Sequence, residues 1–170
     1  MNHLVEIVRG RPDQREALAH MFQLYAHDFA DFVRPGREYY LSEDGRFDLG
    51  DMLESYWTEP DRSVWFIRDN SVLAGFALLN THTHSGKPAD YNMGEFFVSR
   101  PHRGGGVASR AFAQILKLHP GVWELAISIR NIPAQKFWPR AISDAGYTDV
   151  ERLELDDEEW LGPVLRFRAG

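Results

Sequence analysis

No cysteine occurs in the 170 residues, which excludes a disulfide framework, a thiol nucleophile and a cysteinyl metal site. No stretch approaches the ~20 consecutive apolar residues that a membrane-crossing helix needs. The opening residues Met1-Asn2-His3-Leu4-Val5-Glu6 already alternate like a strand and lack the apolar core of a signal peptide. A cytoplasmic protein with no membrane partner is therefore expected. Positive charge is in the minority, 19 Lys and Arg against 25 Asp and Glu, for a formal net charge of −6. With a sequence pI near 5.6, no nucleic-acid partner is expected either.

What remains is the composition of a globular chain, 44% hydrophobic and 26% charged, which argues against disorder. A chain of this length is expected to form one domain over residues 1–170 and to bury about two-thirds of its unfolded surface. Function has to come from local sites.

One stretch lacks acidic residues altogether. Between Glu95 and Glu124 there is no Asp or Glu, whereas Arg100, Arg103, Arg110 and Lys117 all fall there. The local sign of charge is thus opposite to the global one. The apolar run Glu95-Phe96-Phe97-Val98 passes through Ser99-Arg100-Pro101-His102 into Arg103-Gly104-Gly105-Gly106-Val107-Ala108. It reads as strand, glycine turn and helix. The helix stripe is Val107, Ala111, Ile115 and Leu118, and Pro120-Gly121 stops it. Glycines admit a ligand close to the backbone, and the first helical turn leaves N–H groups unpaired at the positive end of the macrodipole, so this corner suits an anion. It is not a Walker loop, since no Gly-Lys-Ser/Thr follows, nor the Gly-x-Gly-x-x-Gly dinucleotide turn.

Around it the chain reads as follows. Val5 and Ile7 begin a strand, and Asp13 with Glu16 forms a capping box for a helix. Its apolar stripe is Leu18, Met21, Phe22, Tyr25, Phe29 and Phe32, and Pro35-Gly36 ends it. Tyr25, His27 and Asp28 either face a substrate or, in the reading preferred here, Tyr25 is core while His27 and Asp28 lie on a solvated face. An irregular segment, Arg37 to Asp48, precedes a short helix at Leu49 to Trp57. Val64–Ile67 and Val72–Leu79 form a hairpin with Asn70 in the turn. His82 and His84 stand two apart in a loop, with no third ligand announced for a metal. Trp123, Leu125, Ile127 and Ile129 alternate as a strand that a helical crossover makes parallel to the 95–98 strand. Asn131 and Pro133 open a helix carrying Ala134, Phe137 and Trp138. Two strands follow, at Tyr147 to Leu155 and Val164 to Phe167, around the acidic turn Asp156 to Glu159.

Two separated motifs carry a family resemblance: Arg103-x-x-Gly106-x-Ala108 with its Pro-x-Arg-Gly lead-in, and Asn131-x-x-Ala134-x-x-Phe137-Trp138. Together with the order of elements along nearly the whole chain, they resemble the GCN5-related N-acetyltransferase (GNAT) family. The resemblance implies an α/β (α+β) fold with a mixed, mostly antiparallel central sheet, one parallel splayed pair, and helices on both faces. It also implies acetyl-coenzyme A as cosubstrate and a small-molecule or peptide amine as acceptor, the protein being a monomer or homodimer.

By the same resemblance, backbone amides from Arg103 through Gly104, Gly105, Gly106, Val107 and Ala108 to Ser109 hold the pyrophosphate. Main chain at Phe97 and Val98 pairs with the pantetheine arm, Asn131 sits near the thiol end, and Phe137 and Trp138 border the thioester. A backbone N–H near Val98 meets the oxyanion. Where the family often carries a tyrosine that protonates the departing sulfur, this chain has Trp138, whose indole does not titrate usefully. The position of Glu95, two residues before the expected pantetheine contacts, makes it the candidate general base. Its side chain points either into the cleft or to the outer face, and His84 and Tyr147 are the alternatives. An N-acetyltransferase is the leading expectation. The others are a non-catalytic acyl-coenzyme A binding or sensor domain, and a phosphate-binding domain for a different nucleotide.

Overall fold

A computed structural model describes residues 3–32 and 39–170. Among these residues seven strands form one sheet: β1 (Val5–Arg9), β2 (Ser63–Asp69), β3 (Val72–Asn80), β4 (Tyr91–Val98), β5 (Gly121–Ala126), β6 (Val150–Asp156) and β7 (Leu161–Ala169). Their spatial order is β1-β2-β3-β4-β5-β7-β6. Every neighbouring pair is antiparallel except β4 with β5. Among the described residues four α-helices accompany it: α1 (Arg15–Phe29), α2 (Ser55–Thr58), α3 (Val107–Leu118) and α4 (Ile132–Asp144). Among the described residues no helix is long and apolar enough to cross a membrane.

The strands sort side chains onto two faces by their period of two. On one face Phe66, Phe76, Leu78 and Phe97 pack against Leu18 and Phe22 of α1 and Tyr56 of α2. On the other, Leu79, Met93, Trp123 and Leu125 pack against Phe112 and Ile115 of α3 and Trp138 and Ile142 of α4. The α3 stripe is Val107, Ala111, Phe112, Ile115 and Leu116, whereas the anticipated Leu118 ends the helix 57% exposed. At the sheet's far side Val98 meets Val107 and Ala111 of the same helix.

The hairpin turn is as expected, with Asn70 (φ 49°) and Ser71 (φ 67°) both left-handed, the conformation a two-residue hairpin loop requires. Other expectations are corrected. A 3-10 turn, Pro12–Gln14, precedes α1, and Gln14 Oε1 accepts from Arg11 N at 3.0 Å. Asp13 instead pairs with Arg11, so the cap lies two residues earlier than the Asp13–Glu16 box. The Leu49–Trp57 helix contracts to Ser55–Thr58, after a run of turns. The Pro35-Gly36 stop lies outside the described residues.

Two irregularities of the sheet create the site. Leu78 faces Glu95 but Leu79 faces Met93, so Gly94 is the extra residue of a bulge in β4. The parallel pairing of β4 with β5 is confined to Tyr91 with Trp123 and Asn92 with Glu124. Beyond Asn92 the two strands part, which opens a gap in mid-sheet. β5 remains anchored on its other side by six register pairs with β7, from Gly121↔Ala169 to Ala126↔Val164.

The closed end of the gap is fastened by a buried charge pair. Glu124 is wholly buried and Arg166 is 8% exposed. They bond to each other, and Glu124 also accepts from the His84 amide at 2.6 Å and the Ser85 hydroxyl at 2.5 Å. Burial pushes the Glu124 carboxyl up, but the bonds from Ser85, His84 and Arg166 outweigh it and hold it below its ordinary value. Removing one partner strands the other charge in the interior, so Arg166→Leu is expected to destabilise the fold by about 3–5 kcal/mol. Urea denaturation measures this, and a loss under about 1 kcal/mol would mean that the pair is solvated in solution.

Candidate active site

The gap between β4 and β5 widens into a cleft of about 1360 Å³ that reaches from the glycine turn to the underside of α1 and α2. Three sets of groups face it: main chain along β4, free amides at the start of α3, and polar side chains around Glu95.

The β4 main chain follows from strand alternation. Ser99 N donates to Ala74 O at 2.8 Å, and Phe97 pairs with Phe76 two residues earlier. Hydrogen-bonding direction alternates along a strand, so Phe97 turns its main chain to β3. Phe96 and Val98 turn theirs to the gap, and Val98 O accepts there from Arg103 Nε at 2.7 Å. The main-chain groups that face the gap here are therefore those of Phe96 and Val98, whereas those of Phe97, expected to face it, are turned to β3.

At the turn, Gly104 (φ 84°) and Gly106 (φ 76°) adopt left-handed backbone that disfavours any side chain. Gly106 is the N-cap residue of α3, and the first helical bond runs from Arg110 N to Gly106 O at 3.1 Å. The amides before Arg110 are the orphan donors of a helix start. Arg110 also folds back to Gly105 O at 2.6 Å. The positive charge foreseen here is partly neutralised from a distance. Asp28, at the end of α1, pairs with Arg100 at 2.7 Å and Arg103 at 2.6 Å. Burial pushes Asp28 up, yet these bonds leave its carboxyl below its ordinary value.

Gly105 has a different reason to be glycine. A Cβ there would collide with His3 Nε2. The His3 ring is held by its Nδ1 on Asp69 at 2.8 Å, and His102 Nδ1 bonds the same carboxylate oxygen at 2.8 Å. Asp69 is 4% exposed, and bonds led by that of His102 hold it below its ordinary value. The N-terminal strand, the β2–β3 turn and the glycine turn are thereby clamped together. Gly105→Ala is expected to lower stability by about 1–3 kcal/mol through overpacking. In a His3→Ala background most of that loss should vanish. Urea denaturation of the four proteins of this cycle measures it, and an undiminished loss would show that His3 is not what Gly105 accommodates.

Glu95 sits just past the bulge and lines the cleft, on the α1 face of the sheet. The outer-face alternative is thereby set aside. Burial pushes its carboxyl up to about 7, with a hydrogen bond from Tyr25 Oη opposing the rise. Below the bulge runs a polar chain: Asn92 Nδ2 donates to Asn80 Oδ1 at 2.9 Å, and Asn80 Nδ2 donates to Tyr56 Oη at 2.8 Å. A side chain at Gly94 would meet both Asn80 Nδ2, at 2.6 Å, and Tyr56 Oη, at 2.7 Å. Glycine at the bulge therefore makes room for that chain next to Glu95.

The remaining candidates divide. Asn131 Oδ1 is engaged as the α4 cap, accepting from Ala134 N at 3.1 Å, and Phe137 also lines the cleft. Trp138 is 9% exposed and meets Phe96 at 5.2 Å and Phe112 at 5.0 Å edge-on. His84 reaches the cleft, but its ring packs on Trp160 at 4.5 Å, and burial lowers its pKa. Tyr147 packs on Phe167 instead and does not line the cleft. Among the described residues no group of three or more His, Cys, Asp or Glu is placed to hold a metal. Sequence reading missed the reach of Tyr56 and Asn80 into this site, and for Tyr25 and Asp28, which line it as well, it preferred the core and solvated-face alternative.

The sequence profile described as the acetyltransferase (GNAT) family matches residues 18–142. No curated protein matches the chain. Solved structures do. An acetyltransferase of the GNAT family from Staphylococcus aureus superposes with a TM-score of 0.60 at 13% identity, covering 98% of this chain and 100% of that one. The GNAT domain of S. lividans PAT gives 0.59 at 17% identity, over 96% and 88% of the two chains. Spermidine N-acetyltransferase from Vibrio cholerae, in complex with CoA and spermine, gives 0.57 at 13% identity, over 96% and 93%. At these identities the likeness is one of fold.

Proposed function

This chain belongs to the acetyltransferase (GNAT) family, and from that premise we propose that it transfers an acetyl group from acetyl-coenzyme A to a primary amine by direct attack on the thioester. The observation that carries the proposal is the placing of a carboxyl raised to about 7 where β4 leaves β5, in one cleft with the glycine turn.

In this reading the amides from Gly104 to Ser109 hold the pyrophosphate at the helix start. Arg110 contributes charge beside them, while Arg103 is shared with Asp28. The pantetheine arm lies in the gap and takes the place of the missing β4–β5 ladder, pairing with main chain at Phe96 and Val98. The Val98 N–H is aimed at the thioester oxygen. Glu95 takes a proton from the incoming ammonium group. The freed nitrogen lone pair forms the C–N bond as the C–S bond breaks, sulfur leaves with its electron pair, and the second proton lost by the nitrogen passes to that thiolate. The main contribution is position, with base catalysis added.

One observation favours a non-catalytic acyl-coenzyme A sensor instead. Trp138, at the family's tyrosine position, is packed among Phe96, Phe112 and Phe137 and supplies no acid. A thiolate needs little acid help to leave, so transfer remains the better reading. The test is incubation with acetyl-coenzyme A and a panel of primary amines that includes spermine, small amino acids and short peptides. Thiol release with an acetylated product for one of them is the expected result. Tight acetyl-coenzyme A binding with no transfer to any amine would establish the sensor.

A further inference from the structure

We infer that Tyr25 is the positioning residue of the base: its hydroxyl fixes the Glu95 carboxyl in the cleft and keeps it ready to accept a proton from the acceptor amine. The inference rests on the reading of Glu95 as the base, and it assigns to α1 a part in the reaction.

The contact itself joins residues 70 positions apart, Tyr25 Oη donating to Glu95 Oε2. The phenol is held from several sides. Its ring centroid lies 5.0 Å from Phe22, 5.4 Å from Phe29, 5.9 Å from Phe76 and 6.2 Å from Phe97. Two of these rings belong to the same helix and two to β3 and β4, so the hydroxyl is aimed by packing on both of the layers it connects. A donor fixed in this way does not have to reorganise when charge changes on its partner.

The chemistry needs such a donor. Burial disfavours the carboxylate, and a base that stays protonated accepts nothing. A hydrogen bond that only the charged form accepts well pulls in the opposite direction. Tyr25 can act as a steady donor because burial, with Glu95 beside it, raises its own pKa well above the ordinary phenol value. It keeps its proton throughout. The other titratable groups near the pair are Tyr56 from α2 and Tyr39 from the loop before it. From β3 the register partner of Glu95 is the apolar Leu78. During transfer the amine proton passes to Glu95, and the Tyr25 O–H bond is neither made nor broken.

The experiment is a carboxyl-carbon NMR titration of protein labelled with 13C-glutamate, the Glu95 resonance being identified by its loss in Glu95→Gln. The parent midpoint is expected near 7. Tyr25→Phe keeps the ring and loses the hydroxyl, and its midpoint should rise by about one pH unit, the scale of one charge-assisted hydrogen bond. Difluorotyrosine placed at position 25 is a stronger donor and should move the midpoint the other way. A parent near 7 whose midpoint is unmoved by both changes would overturn the role of Tyr25 and leave the base intact. A parent midpoint near the ordinary glutamate value would overturn the base and the inference together.

Discussion

Gly106→Val is expected to eliminate measurable coenzyme A binding while leaving a folded protein. At φ 76° a β-branched residue is strained by roughly 1–3 kcal/mol, and its Cβ would lie 2.9 Å from Arg110 Nη1. Relief of either strain rotates the amides that open α3 or moves the arginine that folds over them, and both belong to the proposed pyrophosphate site. Loss of three charge-assisted bonds at about 1.5–3 kcal/mol each removes about 4.5–9 kcal/mol, against about 8 kcal/mol for a micromolar complex. Gly104→Ala carries the backbone strain alone, since nothing lies within 4 Å of its added Cβ, and should weaken binding less. Calorimetry with coenzyme A, beside circular dichroism, measures both. A folded Gly106→Val protein that binds as tightly as the parent would remove the turn from the site.

Glu95→Gln is expected to lower turnover on an identified amine by a factor of ~10²–10⁴, the usual contribution of a positioned base. Parent activity should rise with pH through about 7, where the carboxyl ionises. The variant should recover in part at higher pH, because more amine then arrives without its proton. Stability moves in the other sense. The folded protein keeps the Glu95 proton up to about 7 against an ordinary value of 4.5. Between those values it binds more protons than the unfolded chain, so the parent loses stability as pH rises through the window. Glutamine has no charge to desolvate, and Glu95→Gln should melt no lower than the parent at pH 8. A pH–rate profile with thermal melts separates lost chemistry from lost fold. Full turnover in the variant below pH 7, on an amine of high pKa, would make Glu95 structural.

Much of this architecture was readable in the sequence because its signals are local. The Asn70-Ser71 turn, the Asn131 cap with Pro133 after it, and the turn from Arg103 to Ala108 each involve a few adjacent residues with one conformational purpose. The parallel relation of β4 and β5 followed from the helix between them, and the splaying of the pair from the family resemblance. The contacts that make the site specific are not local. Tyr25 fits the apolar stripe of α1, and its ring does pack there; only the sheet's placement of Glu95 gives the hydroxyl a partner. Asp28 lies 72 and 75 positions from the arginines it neutralises, so an acid-free stretch looked more positive than it is. Gly105 reads as one more turn glycine, although it is the His3 ring, clamped by Asp69, that leaves no room for a side chain. The bulge at Gly94 is a choice of register between whole strands, and no neighbouring residue announces it.

Acetyl-coenzyme A is expected to enter the gap between β4 and β5 with its thioester presented to Glu95. A crystal structure of the protein with acetyl-coenzyme A measures this directly. Pyrophosphate oxygens are expected on the amides from Gly104 to Ser109, pantetheine paired with main chain at Phe96 and Val98, and the thioester oxygen on the Val98 N–H. The Glu95 carboxyl should lie open to the carbonyl carbon, with room between them for one amine nitrogen. Coenzyme bound away from the glycine turn, or a thioester separated from Glu95 by the sheet, would contradict it.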